Sequence, residues 1–130
     1  MSCIVVNGVE IEYEEIGSAD DPAFVMIRGL GTQLIDWPEI FLLGLVAEGF
    51  RVVIFDNRDA GLSQKFNGFP NFSNVARKTE IPPYSIYDMA EDIVGLMDAL
   101  GIKRAHLFGI SMGGIIGQIF AAKHGNRLLS

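Results

Sequence analysis

Hydrophobic residues alternate with polar ones near the amino terminus and gather into continuous runs further along the chain. Residues 3–6 and 9–13 are β-type runs separated by Asn7 and Gly8, a strong short-range signal for a hairpin. The second run alternates apolar and acidic side chains, which predicts one solvated face. Three later runs are continuously apolar, as in strands buried on both faces of a sheet: 23–27, 52–55 and 105–108.

Helical patterns follow the first two of these buried runs. Pro38 in a first turn and Gly49 just past a last turn predict a helix over 39–48. Ser85, with Asp88 three residues later, predicts the capped start of a second helix that continues to about residue 100. The apolar side chains of this second helix recur at helical spacing, so one of its faces is expected in the core.

The rest of the chain contains a long connection and a further helix. Residues 56–84 are polar and glycine-bearing, and we predict no regular element there. A third helix is predicted over 112–124, ended by Gly125, and residues 128–129 resemble the start of another strand. A hairpin followed by three strand–helix units predicts an α/β protein. We expect a mostly parallel sheet with an antiparallel amino-terminal hairpin and helices on both faces.

Composition places the chain among folded proteins that do not bind nucleic acid. The 130 residues are 49% hydrophobic and 20% charged, unlike a disordered chain, and amount to one domain or part of one. The formal net charge of −6 would repel phosphate backbones. No apolar run is long enough for a transmembrane span, and the amino terminus lacks a signal peptide's basic start. We therefore expect a cytoplasmic protein without a membrane partner.

Residue types and spacing also argue against cofactors and metals. Cys3 is the one cysteine, which excludes an internal disulfide and a cysteine-rich zinc site. The two histidines are far apart in sequence, and neither has a partner at metal-ligand spacing. Gly29 and Gly31 follow a strand, but Leu34 stands where a dinucleotide-binding loop has its third glycine. We expect no cofactor and no bound metal.

The strongest chemical signal is the segment Gly-Ile-Ser-Met-Gly-Gly at 109–114, a G-x-S-x-G motif between the third buried run and the third helix. A sharp strand-to-helix turn strains the backbone at Ser111 and leaves no room for Cβ atoms two residues to either side. The serine Oγ would then project at the carboxyl end of the sheet. The backbone N–H of Met112 would be free to bind a developing oxyanion. The alternative is a glycine-rich turn with an incidental serine.

Three motifs in this order resemble the α/β-hydrolase superfamily, and the resemblance covers essentially the whole chain. Residues 24–31 are similar to its third strand and oxyanion loop, and residues 56–63 to its D-x-R-G-x-G-x-S loop. Residues 109–114 are similar to its nucleophile elbow. The segment Asn-Arg-Asp-Ala-Gly, which contains Asp59, resembles the corresponding segment in the aclacinomycin methylesterase-like branch of serine esterases.

This resemblance implies a hydrolase that cleaves a small carboxylic ester through a serine nucleophile. It assigns Ser111 as the nucleophile and the backbone N–H groups of Leu30 and Met112 as the oxyanion hole. The chain departs from the family at Arg28, where histidine is usual. We expect Arg28 to have a structural role in an ion pair with a nearby acid.

A serine nucleophile needs a histidine base and a carboxylate that orients it. His106 lies five residues before Ser111, about 16 Å along a strand, and His124 lies thirteen residues after it, about 20 Å along a helix. Neither is expected to reach it. We expect His106 to be a packed or hydrogen-bonded strand residue and His124 a cation at the negative end of its helix. Asp56 ends a strand on the catalytic side, but without a histidine it has nothing to orient.

By resemblance, the acid and the base come from later strands, and a complete enzyme is about twice this length. We therefore expect residues 1–130 to form an incomplete α/β-hydrolase domain that ends after the elbow helix and lacks the acid and base strands and the cap. Such a chain is expected to be inactive by itself. It is also expected to self-associate through an exposed sheet edge.

Two other functions remain open from the sequence. One is a non-catalytic hydrolase-fold fragment or binding module, favoured by the absence of a reachable histidine. The other is a cofactor-free haloperoxidase or carbon–carbon bond hydrolase, which uses the same catalytic groups. The substrate is not predicted, because the pockets that select it are built largely by segments outside these residues.

Overall fold

A mixed β-sheet forms the centre of the fold. The computed structural model describes residues 1–67, 72–78 and 81–130. Within these ranges the sheet has five strands: β1 (Ser2–Val6), β2 (Val9–Ile16), β3 (Ala23–Ile27), β4 (Arg51–Phe55) and β5 (Ala105–Gly109). Across the sheet they lie in the order β1-β2-β4-β3-β5. β2 is antiparallel to β1 and β4, and β3 is parallel to β4 and β5. The predicted α/β fold, with its amino-terminal hairpin and parallel strands, is confirmed.

The turn between β1 and β2 explains why the hairpin could be recognised from two residues. Asn7 and Gly8 have φ of 50° and 74°, so both adopt the left-handed conformation. That conformation at both central positions gives a two-residue turn whose twist matches the paired strands. The register that follows places Val6 opposite Val9 and Ile4 opposite Ile11.

Helices flank the sheet at nearly the predicted positions. They are α1 (Glu39–Ala47), α2 (Phe72–Ala76), α3 (Ile86–Ala99) and α4 (Met112–His124), with 3₁₀ turns at Leu34–Asp36 and Gly125–Arg127. α3 begins as predicted, because the Ser85 hydroxyl accepts from the Asp88 N–H while the Asp88 carboxylate accepts from the Ser85 N–H.

The predicted structureless connection over 56–84 needs correction, because it contains α2. This helix has five residues, too few to give the hydrophobic periodicity from which a helix is recognised in sequence. Residues 68–71 and 79–80 of the same connection lie outside the described part of the chain. Gly125 also does not end α4 in the left-handed conformation of a typical cap. Its φ of −57° continues the chain into a 3₁₀ turn.

Two hydrophobic cores lie on opposite faces of the sheet. The larger core joins β2, β3 and β4 to α3 and α4; its most deeply buried members include Val25, Ile27, Val53, Phe55, Ile93, Met97, Ile116 and Phe120. The smaller core covers the other face beneath α1 and consists of Met26, Leu34, Trp37, Leu42, Val52 and Ile54. Trp37 thus packs under the first helix. The strands β3 and β4 are buried on both faces, as their continuous apolar sequences predict.

The prediction that β5 is equally buried is wrong for most of the strand. Ala105 is buried, His106 and Leu107 are half-buried, and Phe108 is 37% exposed. The reason is that β5 lies at the margin of the sheet, next to β3. Residues 128–130 pair with part of its outer side: the Leu129 N–H donates to the Ala105 carbonyl at 2.8 Å, and the Leu107 N–H donates to the Ser130 carbonyl at 3.0 Å. This short parallel pairing is the strand start predicted at 128–129.

None of the helices within the described ranges combines the length and the apolar character that crossing a membrane requires.

Candidate active site

Ser111 lies on the turn that joins β5 to α4, at the carboxyl end of the sheet. Its φ of 55° and ψ of −120° fall in a region that side-chain-bearing residues rarely adopt. The preceding residue is anchored to the neighbouring strand, since the Ile110 N–H donates to the Ile27 carbonyl at 3.1 Å. The Ser111 residue is exposed. The motif at 109–114 therefore has the strained strand–turn–helix geometry that its sequence predicts.

Close backbone contacts explain the glycines on either side of Ser111. A Cβ atom on Gly109 would lie 2.3 Å from the carbonyl oxygen of Gly113. A Cβ atom on Gly113 would lie 2.2 Å from the carbonyl oxygen of Ile27. Both distances are far below van der Waals contact, and the contacted atoms belong to the backbone, which cannot rotate away. The turn can therefore form only when both positions lack a side chain.

The loop after β3 brings a second backbone segment against Ser111. A Cβ atom on Gly29 would lie 3.2 Å from the Ser111 Cβ, so this loop passes directly beside the serine. The Leu30 N–H in this loop and the Met112 N–H at the start of α4 have no hydrogen-bond partner among the described residues. Two unpaired N–H donors on segments that meet at one serine are the groups that an oxyanion hole requires.

Arg28 braces this loop, but the predicted ion pair is wrong. Its Nε donates to the Thr32 hydroxyl at 3.2 Å, and that hydroxyl donates to the Gly29 carbonyl at 2.8 Å. Its guanidinium lies 4.5 Å from the centroid of the Trp37 ring. Over the residues that the structure describes, Arg28 has no acidic partner within ion-pair distance. A cation–π contact and a hydroxyl take the place of the expected carboxylate.

The buried Asp56 joins the loops that surround the serine. One carboxylate oxygen accepts from the Leu34 N–H at 2.6 Å, just beyond the loop that follows β3, and the other accepts from the Leu62 N–H at 2.9 Å. Its backbone carbonyl accepts from the Ser63 hydroxyl at 2.7 Å. Asp56 therefore has a role the sequence did not reveal: it fixes two loops to the end of β4 and needs no histidine for that purpose.

A buried ion pair links the loop after β4 to α3, and it was not predicted from the sequence. The Arg58 Nε and Nη2 donate to the two carboxylate oxygens of Asp92 at 2.8 and 2.7 Å. Burial opposes the charge on Arg58, but the hydrogen bond and the charge of Asp92 outweigh burial and raise the pKa of Arg58. Asp92 stands in the apolar stripe of α3, and an acid in such a stripe is the one sequence signal that could have indicated a buried cation.

A cavity of about 450 Å³ opens beside the candidate oxyanion hole. Its walls come from the loop after β3, the loop after β4, the start of α3 and Met112; the lining residues are Gly29, Leu30, Gly31, Asn57, Arg58, Asp59, Ala60, Tyr84, Ser85, Ile86, Met89 and Met112. The Tyr84 hydroxyl donates to Asp59 Oδ2 at 2.6 Å. Burial, and then this hydrogen bond, raise the pKa of Tyr84 to about 12, so the phenol is neutral in the physiological range.

Neither histidine of the chain contacts Ser111. His106 Nδ1 is 2.8 Å from the Ser130 hydroxyl, and its ring packs against Phe24 and Phe50. His124 Nε2 is 2.8 Å from Glu91 Oε1, on the α3–α4 surface. His106 is the packed, hydrogen-bonded strand residue that was predicted, and His124 lies at the end of α4 as predicted; its contact with Glu91 was not predicted. The described ranges contain no group of three or more histidine, cysteine or acidic residues arranged to hold a metal ion.

Comparison with known proteins gives a consistent family match. The family described as alpha/beta hydrolase fold matches residues 22–130. Rhodomycin D methylesterase DauP of Streptomyces sp. (strain C5) is 30% identical over 127 residues, which cover 98% of this chain and 39% of that protein. The 3-oxoadipate enol-lactonase 2 of Acinetobacter baylyi is 30% identical over 118 residues, which cover 91% of this chain and 38% of that protein.

Solved structures agree with the fold. The enol-lactonase from Burkholderia xenovorans LB400 superposes with a TM-score of 0.81 at 34% identity, covering 98% of this chain and 44% of that chain. A membrane phospholipase A described as a bacterial virulence factor superposes with a TM-score of 0.82 at 31% identity, covering 99% of this chain and 37% of that chain. The chain thus spans about two fifths of the length of the relatives it matches. The resemblance predicted from three motifs is confirmed, and a methylesterase is among these relatives.

Proposed function

The chain belongs to the alpha/beta hydrolase fold family, and on that premise we propose that it carries the nucleophile and the oxyanion hole of a carboxylic-ester hydrolase. Ser111 is the nucleophile, and the N–H groups of Leu30 and Met112 stabilise the oxyanion. The observation that carries this proposal is the backbone of Ser111, held at φ 55° and ψ −120° between glycines that admit no side chain.

In the proposed reaction, the Ser111 Oγ attacks the ester carbonyl carbon, and its proton passes to a base. The carbonyl oxygen becomes an oxyanion that accepts hydrogen bonds from the two free N–H groups. Collapse of the tetrahedral intermediate breaks the ester C–O bond, the alcohol leaves with a proton, and Ser111 remains acylated. Water then attacks the acyl group and releases the carboxylic acid, which restores the serine.

The base and its orienting acid are the parts of this reaction that the described residues do not supply. His106 and His124 are held by Ser130 and Glu91, away from the serine. We therefore propose that these 130 residues do not turn over esters by themselves. The whole activity then depends on a histidine and an acid from chain beyond these residues, as in the family's chain order of serine, acid and histidine.

The names of two relatives support carboxylic esters, including cyclic ones, as the substrate class, although other relatives are named putative carbamate hydrolases. One relative is a rhodomycin D methylesterase and another is a 3-oxoadipate enol-lactonase. Both names describe cleavage of a carboxylic ester, open in one case and a lactone in the other. The cavity of about 450 Å³ beside Leu30 and Met112 is of a size that accepts one small molecule.

A fluorophosphonate probe tests the nucleophile without requiring turnover. Because the base is not among these residues, we expect slow labelling: after long incubation with excess probe, intact mass should show a single adduct on the wild type and on Ser18→Ala, a matched exposed serine in a loop, and none on Ser111→Ala. Labelling that persists in Ser111→Ala, or that is lost in Ser18→Ala, contradicts the assignment.

We also propose that the outer side of β5 is the place where this chain associates with another copy. Residues 128–130 cover only the first part of that side, and the exposed apolar side chains Phe108, Ile110, Ile115 and Leu129 lie on β5, the elbow, α4 and the paired end segment. Unpaired strand edges with apolar surroundings favour pairing with a second chain.

A further inference from the structure

The cavity beside the candidate oxyanion hole has a polar wall whose charge the proposed reaction does not use. This wall consists of Asp59 and Tyr84, and Leu30, Met112 and Arg58 line the same cavity, with the Arg58 guanidinium 4.8 Å from the centroid of the Tyr84 ring. Asp59 follows Arg58 in the loop after β4, and Tyr84 directly precedes the cap residue of α3. Since the same cavity reaches both candidate oxyanion donors, a group bound at this wall would belong to the molecule whose carbonyl lies at Ser111.

The Asp59 carboxylate is held in one orientation. Its residue adopts φ 66°, and its N–H donates to the Gln64 carbonyl at 2.9 Å. Asp59 Oδ1 accepts from the Phe66 N–H at 2.7 Å, and Oδ2 accepts from the Tyr84 hydroxyl at 2.6 Å. Two donors on different segments leave the carboxylate little freedom to rotate. Each oxygen keeps lone-pair capacity for a further donor.

The negative charge of Asp59 is not neutralised by a neighbouring cation. The adjacent Arg58 gives its Nε and Nη2 to Asp92, and that buried pair is neutral as a unit. Lys65 keeps its positive charge, but its ammonium is bonded to the carbonyls of Ala60, Gly61 and Ser63 and forms no ion pair with Asp59. Among the described residues, Asp59 has no ion-pair partner. The wall therefore carries one carboxylate without a cation at ion-pair distance, and because Asp59 is exposed, solvent screens part of its charge.

Tyr84 adds acceptor capacity to the wall. Its hydroxyl proton is already donated to Asp59, and its raised pKa keeps it protonated, so the lone pairs of the phenol oxygen are what it offers to a ligand. The Ser85 hydroxyl is engaged with Asp88 in the helix cap. The rest of the lining includes apolar side chains from Leu30, Ile86, Met89 and Met112. A complementary ligand has an apolar body and an ammonium or hydroxyl group.

We infer that Asp59 and Tyr84 select the substrate of this site by charge: the cavity takes esters that carry an ammonium or a hydroxyl donor beyond the ester group, and it excludes carboxylates. This inference rests on the proposed function for its location, but the binding preference does not require Ser111 to react. A carboxylate placed beside Asp59 would meet a like charge, whereas an ammonium would gain an ion pair at the same position.

Three small molecules of nearly the same shape test the inference: choline, the neutral 3,3-dimethylbutan-1-ol and the anionic 3,3-dimethylbutanoate. Each is titrated into the ¹⁵N-labelled chain at low salt, and the amide resonances of Leu30 and Met112 report binding. We expect choline to bind about fivefold more tightly than the neutral alcohol, and the carboxylate to bind most weakly.

Variants separate the wall from other effects. Asp59→Asn keeps a residue type that tolerates positive φ, and it should bring the affinities for choline and the neutral alcohol to within about twofold of each other. Glu48→Gln removes one exposed negative charge away from the cavity and should leave the preference unchanged. Ser111→Ala should also leave it unchanged, which separates this inference from the assignment of the nucleophile. Equal affinities in the wild type, a preference that survives Asp59→Asn, or no binding of any of the three compounds overturns the inference.

Discussion

At Ser111 a residue with a side chain occupies backbone angles that cost roughly 1–3 kcal/mol. The backbone keeps these angles because contacts on both sides of Ser111 prevent it from relaxing. The Ile110 N–H is bonded to β3, and Gly109 and Gly113 bring backbone atoms together at distances that no Cβ would allow. With these contacts in place, Ser111 is exposed at the turn after β5. Among the residues that the structure describes, the Met112 N–H has no hydrogen-bond partner.

Two adjacent glycines provide a matched test of this packing. Gly113→Ala places a Cβ 2.2 Å from the Ile27 carbonyl oxygen, and we expect it to lower the free energy of unfolding by about 3 kcal/mol. Gly114→Ala places a Cβ 3.4 Å from the Gly109 carbonyl oxygen, at ordinary contact, and should change stability by less than about 1 kcal/mol. Urea unfolding followed by circular dichroism measures both. Equal effects of the two substitutions would show that close approach at Gly113 does not constrain the elbow.

At the scale of elements, α3 connects the cavity to the core. Its first turn is capped by Ser85, its apolar stripe packs under the sheet, and Asp92 within that stripe binds Arg58 from the loop after β4. Breaking such a buried pair by removing one partner typically costs about 3–5 kcal/mol, because the other charge stays buried. The Arg58–Asp92 pair therefore holds α3 against the loop after β4, which carries Asp59 at the cavity wall.

The capping box at the start of α3 predicts a pH dependence. The hydrogen bond from the Ser85 N–H lowers the pKa of Asp88 below its ordinary 3.8, so the folded state favours the carboxylate. This contribution is complete above the ordinary pKa and is lost as the pH falls through the lower pKa of the folded chain. Asp88→Asn should lower the Tm by about 4 °C at pH 7. The difference in Tm between Asp88→Asn and the wild type should vanish at a pH well below the pKa of Asp88 in the folded chain.

Thermal unfolding across this pH range makes the comparison, with Asp20→Asn as a control in an exposed loop. The control should match the wild type throughout. If the Tm of Asp88→Asn lies as far below the wild-type Tm in acid as at neutral pH, the ionised carboxylate has no role in the cap.

At the scale of the whole molecule, the sheet presents an outer side on β5 that residues 128–130 cover only in part. We predict that the mass measured by light scattering after gel filtration rises with concentration. Leu129→Lys places a charge on the paired segment at that edge and should shift the protein towards monomer, since charged edge residues oppose strand pairing. Ile40→Lys, a similar change on the exposed side of α1, should not. A monodisperse monomer at all concentrations would contradict association through this edge.

Much of this fold could be predicted from the sequence because its signals are local. Asn7-Gly8, the Ser85 cap and the continuous apolar runs each specify an element within a few residues, and the structure has all of them. The G-x-S-x-G segment likewise specifies its own backbone. What the sequence did not reveal depends on contacts between distant segments.

The exposure of β5 depends on which strand lies beside it, and the Arg58–Asp92 pair joins residues 34 positions apart. The partner of Arg28 is a tryptophan ring and a threonine, which no rule of charge pairing would have selected. The cavity wall at Asp59 and Tyr84 joins residues 25 positions apart across a connection that was predicted to have no structure. Such pairs become visible only once the topology is known.

The most direct test of the central claim is a crystal structure of the chain after reaction with a small phosphonate ester. We predict continuous density from the Ser111 Oγ to phosphorus. We also predict a phosphoryl oxygen about 3 Å from both the Leu30 and the Met112 backbone nitrogens, as in an oxyanion hole. An adduct on another residue, or a phosphoryl oxygen that contacts neither of the two nitrogens, would contradict the assignment of Ser111 and its two N–H donors as the catalytic centre.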